Sequence, residues 1–295
     1  MRLVDSHCHL DVEAFDADRS QVIERARRAG VTRQIVPAID AAGWPALRDL
    51  CASNPGLYPA YGLHPMFVSR HRHDHIIDLR AWLERENPVA IGECGLDFYV
   101  PGLDAEAQAR IFDAQLRLAR EFDLPLIVHA RRAVDAVIAA IRRIGAIRGV
   151  VHSFSGSAQQ AARLWDLGFM TGLGGPVTYE RANRLRSLAR TIPLEHLLLE
   201  TDAPDQPDSG HRGQRNEPAR MIHVLRAVAE LRGTDPDVIA AATALAIGTT
   251  GAPPCLSSSV ENARPCIGDT PSSGSSPAAS SSTSMPSWHG QPAER

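Results

Sequence analysis

His7 and His9 stand two residues apart, with Cys8 between them, in the run Leu3-Val4-Asp5-Ser6-His7-Cys8-His9-Leu10-Asp11. Side chains alternate faces in extended backbone, so residues i and i+2 project together. Both imidazoles therefore emerge on one side while Cys8 points to the other. The apolar lead-in Leu3-Val4 predicts a buried strand that ends where the imidazoles appear. That is half of a metal site delivered at a strand terminus. Histidines so spaced also occur in ordinary half-exposed strands, and the rest of the chain must decide between the two readings.

Short apolar runs alternate with longer amphipathic stretches from residue 2 to about residue 245. The predicted strands are Leu3–Asp5, Gln34–Ala38, Tyr58–Gly62, Val89–Gly92, Leu126–His129, Gly149–His152, Phe169–Leu173 and Leu197–Glu200. Helical patterns between them include Arg19–Ala29, His75–Glu86, Ala105–Phe122, Ala133–Arg143, Ala158–Leu167 and Asn183–Arg190, with Glu217–Leu231 and Asp235–Ala246 after the last strand. Strict alternation implies parallel strands buried on both faces. Eight units in this length predict an α/β fold, a (β/α)8 TIM barrel. A doubly wound sheet is the alternative, and no glycine-rich fingerprint follows the first strand to support it. In a barrel the C-terminal strand ends converge on one rim. Polar residues follow six of them: His7 and His9, His64, Glu93 and Asp97, His129 and Arg131, His152 and Ser153, and Glu200 and Asp202.

The chain contains no lysine, so all 31 residues counted as Lys+Arg are arginine. Schiff-base aldolases, P-loop nucleotide hydrolases and hydrolases with a carbamylated bridging lysine are excluded in their standard forms, because each needs an amine. Five cysteines without a CxxC pair predict reduced thiols in a cytoplasmic protein. Neither a membrane-spanning apolar run nor a secretory leader is expected. The formal net charge of -3 argues against a protein that coats nucleic acid in bulk, while leaving room for a local basic groove.

Three segments, LVDSHCHLD, PLIVHARRAVD and IPLEHLLLETDAP, closely resemble the signature patterns of the TatD family of metal-dependent hydrolases. GLHP, GECGLDF, HSFSG and RNEP resemble further family blocks, and the likeness covers residues 1 to about 245. The resemblance implies a (β/α)8 barrel that binds two divalent metal ions and cleaves phosphodiester bonds of DNA. It carries the metal-ligand role onto His7, His9, Glu93, His129, His152 and Asp202. Read physically, Glu93 is then the bridging carboxylate, His7, His9 and Asp202 complete one shell, and His129 and His152 complete the other. Imidazole and carboxylate together suit zinc, manganese or magnesium without choosing among them. Asp202 is also the candidate general base toward the attacking water. The expected activity is an exonuclease-type deoxyribonuclease with nucleic acid as partner and no obligate protein partner. The rival is a metal-dependent esterase or deacylase, for example on aminoacyl-tRNA.

Other residues carry two readings each. His64 either donates to a phosphate or leaving group or braces the loop before Pro65. Arg131 either grips phosphate as a planar fork or forms a surface salt bridge with the next helix. Ser153 has no nucleophile elbow around it and reads as a hydrogen-bond donor to substrate or ligand. His71, His73 and His75 read as a solvated loop rather than a metal cluster. His211, Arg212 and Arg215 are phosphate contacts or plain loop residues. From Gly251 the composition turns to serine and proline, which cannot bury enough surface to order. A barrel over residues 1–250 and a disordered C-terminal tail over residues 251–295 are therefore expected. The tail replaces the closing helix usual in the family, through either a genuine extension or a reading-frame change.

Overall fold

A computed structural model describes residues 2–249. The expected tail of residues 251–295 lies outside the described residues. Eight parallel strands follow one another around the sheet in sequence order: β1 (Leu3–Asp5), β2 (Val31–Pro37), β3 (Leu57–Tyr61), β4 (Ala90–Asp97), β5 (Leu126–Arg131), β6 (Gly149–Val151), β7 (Phe169–Leu173) and β8 (Leu197–Leu199). Helices intervene: α1 (Arg19–Arg28), α2 (Trp44–Ser53), α3 (His75–Glu86), α4 (Ala105–Phe122), α5 (Val134–Ile144), α6 (Ala158–Asp166) and α7 (Asn183–Thr191), with α8 (Met221–Arg232) and α9 (Pro236–Thr249) closing the order. This is the TIM-type barrel expected. The exits of the first and last strands complete the ring. Ser6 N donates to Leu199 O at 3.1 Å, and Asp202 N donates to His7 O at 2.9 Å.

The core has two layers. One residue from each strand (Val4, Ile35, Ala60, Ala90, Ile127, Val150, Met170 and Leu198) meets in an apolar plug, as inward-facing barrel residues must. Ala246 and Ile247 of α9 join that plug. A larger layer packs the helices on the outer faces of the strands, with Leu3, Val36, Tyr61, Ile91, Val128, Val151 and Leu199 turned toward it.

Strand β4 runs five residues further than its apolar run suggests, to Asp97. Glu93 consequently lies within the strand instead of after it. Buried Cys94 and Leu96 keep the outer face apolar, and Cys94 through Asp97 register with Val128 through Arg131 of β5. Gly95 makes the pairing possible: its φ is +134°, and a Cβ there would collide with the His129 carbonyl. Among the described residues, no helix is long and apolar enough to cross a membrane.

Candidate metal centre

The segment beyond β1 is stitched on both sides. Cys8 N donates to Ile35 O at 3.1 Å, and His9 N donates to Ala203 O at 2.7 Å. Cys8 is buried away from the centre, as alternation requires, and its Sγ lies 3.8 Å from Ile35 O. His7 and His9 turn inward, with their Nε2 atoms 3.1 Å apart. Asp5 anchors this crossing by accepting from His7 N, Thr201 N and Thr201 Oγ1 at 3.2, 3.0 and 2.6 Å. Burial pushes its carboxyl up to about 7.

Glu93 stands at the centre, fully buried, and divides its two oxygens between histidine sets. Oε2 lies 3.1 Å from His7 Nε2 and 3.2 Å from His9 Nε2, yet it accepts no aligned hydrogen bond. Oε1 lies 2.9 Å from His152 Nε2, 3.0 Å from His129 Nδ1 and 3.0 Å from His64 Nε2. Burial works to raise this carboxyl, but His64, His152 and His7 around it hold it well below the usual range. Against the same burial, Glu93 raises His9 to about 9, and Asp97 with Glu93 raises His129 to about 9. His7, stacked on His152 with ring centroids 3.9 Å apart, is lowered to about 4 by burial and by that neighbour.

These separations suit cations. Two donors each about 2.1 Å from one ion, at angles between square and tetrahedral, lie roughly 3.0–3.4 Å apart. The His7, His9 and Glu93 Oε2 edges fall there, with Asp202 Oδ1 at 3.5 Å from His7 Nε2 and 3.9 Å from His9 Nε2. A second triangle joins Glu93 Oε1, His129 Nδ1 and His152 Nε2 with edges of 3.0, 2.9 and 3.2 Å. A buried carboxylate oxygen with no aligned donor, facing two imidazole nitrogens, is costly without a cation.

The other ring nitrogens show which atom of each imidazole faces the centre. His9 Nδ1 donates to Pro37 O at 3.2 Å, and His129 Nε2 faces Asp97 Oδ2 at 2.8 Å. Each bond turns the remaining nitrogen inward as a lone-pair donor. His64 has the opposite arrangement. Its Nδ1 accepts the Met66 backbone N–H at 3.1 Å, so in the neutral ring Nε2 carries the proton and points it at Glu93 Oε1. It is a donor rather than a lone pair for metal.

Asp202 and Ser153 sit at the mouth with φ of +54° and +44°. Such backbone is costly for non-glycine residues and persists where surrounding bonds impose it. Gln206 Nε2 donates to Ser153 Oγ at 2.6 Å and also to Asp202 Oδ2. Ser153 N donates to Glu200 Oε1, whose carboxyl burial pushes up to about 8. Gly172 leaves room for Glu200, since a Cβ there would strike its Oε2. Arg131 lies within β5 and stacks on Tyr99 at 3.7 Å, and among the described residues it does not pair with an acid of the following helix.

The remaining candidates are occupied elsewhere. Arg215 holds Asp18 through two bonds of 2.8 Å, and His211 Nδ1 lies 2.9 Å from Asp208 Oδ2. Arg212 leans toward Tyr179, with its guanidinium 5.9 Å from the ring centre. His71 Nε2 donates to His64 O at 2.8 Å and buried His75, opening α3, accepts from Arg72 N, so only His73 of the three is exposed: in place of the expected solvated loop stands a packed turn. Sequence reasoning missed Asp97, Glu200 and Gln206 as supports. Even spacing from Glu93 to Asp97 and from Glu200 to Asp202 was the available signal, since alternate strand residues share a face.

A family model described as "TatD related DNase" matches residues 4–248. The chain is 42% identical over 244 residues to the uncharacterized metal-dependent hydrolase YjjV of Escherichia coli K12, covering 82% of this chain and 94% of that protein. It is 35% identical over 257 residues to the 3'-5' ssDNA/RNA exonuclease TatD of Erwinia tasmaniensis, covering 82% and 97% of the two. The crystal structure of the same E. coli YjjV superposes with a TM-score of 0.81 at 41% identity, covering 84% of this chain and 97% of that one. Buried His/Glu/Asp clusters at the rim of an eight-stranded barrel, together with these matches, place the chain in the TatD family of metal-dependent hydrolases.

Proposed function

We propose that this chain is an exonuclease-type phosphodiesterase for single-stranded nucleic acid, DNA foremost, working with two divalent cations. The observation that carries the reading is the division of Glu93, with Oε2 facing His7 and His9 and Oε1 facing His129 and His152. In this reading His7, His9, Asp202 and Glu93 hold one ion, and Glu93, His129 and His152 hold the other. Magnesium, manganese and zinc all suit the donors. Bound there, the pair supplies Lewis-acid activation of water and of a phosphoryl oxygen.

The chain's own residues do the rest. Asp202 turns Oδ1 toward the centre as a ligand atom, and Oδ2 at the mouth, which also accepts from Gln206, is left to take the proton of attacking water. His64 holds Nε2–H against Glu93 Oε1, a donor that a developing oxyanion or leaving oxygen would take over once that carboxylate oxygen serves a cation. Arg131 offers its fork to a phosphate, and Ser153, held by Gln206, borders the same opening. The nucleic-acid substrate is supported by the exonuclease name of the Erwinia relative and by arginine as the basic residue at the rim. Free buried Cys8, Cys51 and Cys94 support a cytoplasmic setting.

The test is turnover by purified protein on single-stranded DNA, duplex DNA, RNA and an aminoacyl ester, each with magnesium, manganese or zinc and with chelator. Cation-dependent release of nucleotides from single strands is expected. Ester cleavage with all three nucleic acids left intact would overturn the reading in favour of a deacylase.

A further inference from the structure

The turn after β4 opens with Phe98, which is 44% exposed. Among the described residues the other large exposed apolar side chains are Ile77, Val238 and Leu245, all on helices α3 and α9. Phe98 is the one at the strand-end rim that bears the metal centre, and burial does not explain an aromatic ring there.

Its place is fixed by a residue of that centre's surroundings. Asp97 Oδ1 accepts from Tyr99 N at 2.8 Å and from Val100 N at 3.0 Å, while Phe98 N donates to Arg131 O at 2.9 Å. The other oxygen of Asp97 lies 2.8 Å from His129 Nε2. One carboxylate therefore ties the aromatic turn rigidly to a candidate metal-holding imidazole. The half-buried ring of Tyr99 lies against the guanidinium of Arg131 at 3.7 Å and that of Arg132 at 4.7 Å. Arg131 stands two residues beyond His129 on β5, on the same face and roughly 7 Å further toward the mouth.

An exposed ring, Phe98, on the turn whose next residue, Tyr99, immobilises a guanidinium matches a nucleotide, with a flat apolar base next to an anionic phosphate. Resting on the nucleic-acid reading above, we infer that Phe98, on the turn that Asp97 holds, is a stacking platform for the base adjoining the scissile phosphate, with Arg131, fixed by Tyr99, on the phosphate side. Stacking needs a base face that no duplex neighbour covers, so the platform selects unpaired ends. The selection is sequence-tolerant, because every base offers such a face.

The experiment uses the cation-loaded full chain and its Phe98→Ala, Phe98→Leu and Phe98→Trp variants. Substrates are an oligothymidylate and the same strand abasic at the nucleotides flanking the first scissile bond. Wild type is expected to lose about tenfold in kcat/KM on the abasic strand. Phe98→Ala and Phe98→Leu should show a similar loss on the intact strand and little further loss on the abasic one, while Phe98→Trp recovers. Matching unfolding midpoints keep folding out of the comparison. The platform is overturned if Phe98→Ala discriminates against the abasic strand as strongly as wild type does, or if leucine serves as well as phenylalanine. If wild type cleaves no nucleic acid with any cation, the nuclease reading itself falls and takes the platform with it.

Discussion

Asp97 and His129 are joined across neighbouring strands by a 2.8 Å contact from Oδ2 to Nε2, and this contact sets which nitrogen of His129 faces Glu93. A carboxylate behind an imidazole fixes its tautomer and strengthens its lone pair. Replacing Asp97 with Asn keeps the shape but removes the charge. Affinity for a cation at the His129 side is expected to fall about 10–100-fold. Competition against a chelator of known affinity measures it, and an unaltered constant would reduce Asp97 to a turn residue.

Glu93 is the shared group, so Glu93→Ala or Glu93→Gln should empty both halves of the centre. The expected loss in turnover is about a thousandfold or more, since the variant forfeits Lewis-acid activation on both sides. Metal content by elemental analysis should fall together with activity. Full turnover of Glu93→Ala in chelator would sink the two-cation reading.

His64 makes a different prediction, because its Nδ1 is committed to Met66 N–H and its Nε2 is a donor. His64→Ala should lower kcat by about 10²–10³. Metal stoichiometry should remain that of wild type. Loss of an ion in this variant would make His64 a ligand and contradict the tautomer argument.

Cations and protons compete for the same nitrogens. In the metal-free protein His9 and His129 are raised to about 9, so at pH 7 both are protonated. Loading the centre at that pH should expel on the order of two protons. Calorimetric titration in buffers of different ionisation enthalpy reads this as a slope, and a flat response would contradict the protonation states.

Asp18 carries the stability prediction. Bonds from Arg215, and then from Arg25, lower its carboxyl to about 2 despite partial burial, joining α1 to the loop that follows β8. A depressed folded-state value means that the stabilisation is complete above the unfolded value near 4 and disappears as pH falls toward 2. These side chains are partly exposed, so screening limits the effect to about 1 kcal/mol or less. Asp18→Asn should therefore melt a few degrees below wild type at neutral pH. The gap should close between about pH 4 and pH 2. A gap independent of pH would assign the effect to packing.

The repeating strand and helix periods are legible in residue order, and with them the barrel and the rim where the imidazoles and carboxylates gather. Both are local properties: alternation places His7 with His9, and apolar runs mark where strands stop. The absence of lysine likewise removed whole chemistries without any coordinates. Helix α2 and the extension of β4 through Glu93 to Asp97 emerged only with the fold, because pairing with β5 and the collision-free Gly95 decide them. The assignment of nitrogens was also beyond local pattern. His9 faces Pro37, His129 faces Asp97, His64 faces Met66, and each contact fixes where one proton resides. Ser6 meets Leu199 across 193 residues of chain to close the ring. A hydrogen bond across such a separation depends on the position of every intervening strand, so tertiary structure alone could decide which oxygen of Glu93 serves which histidines.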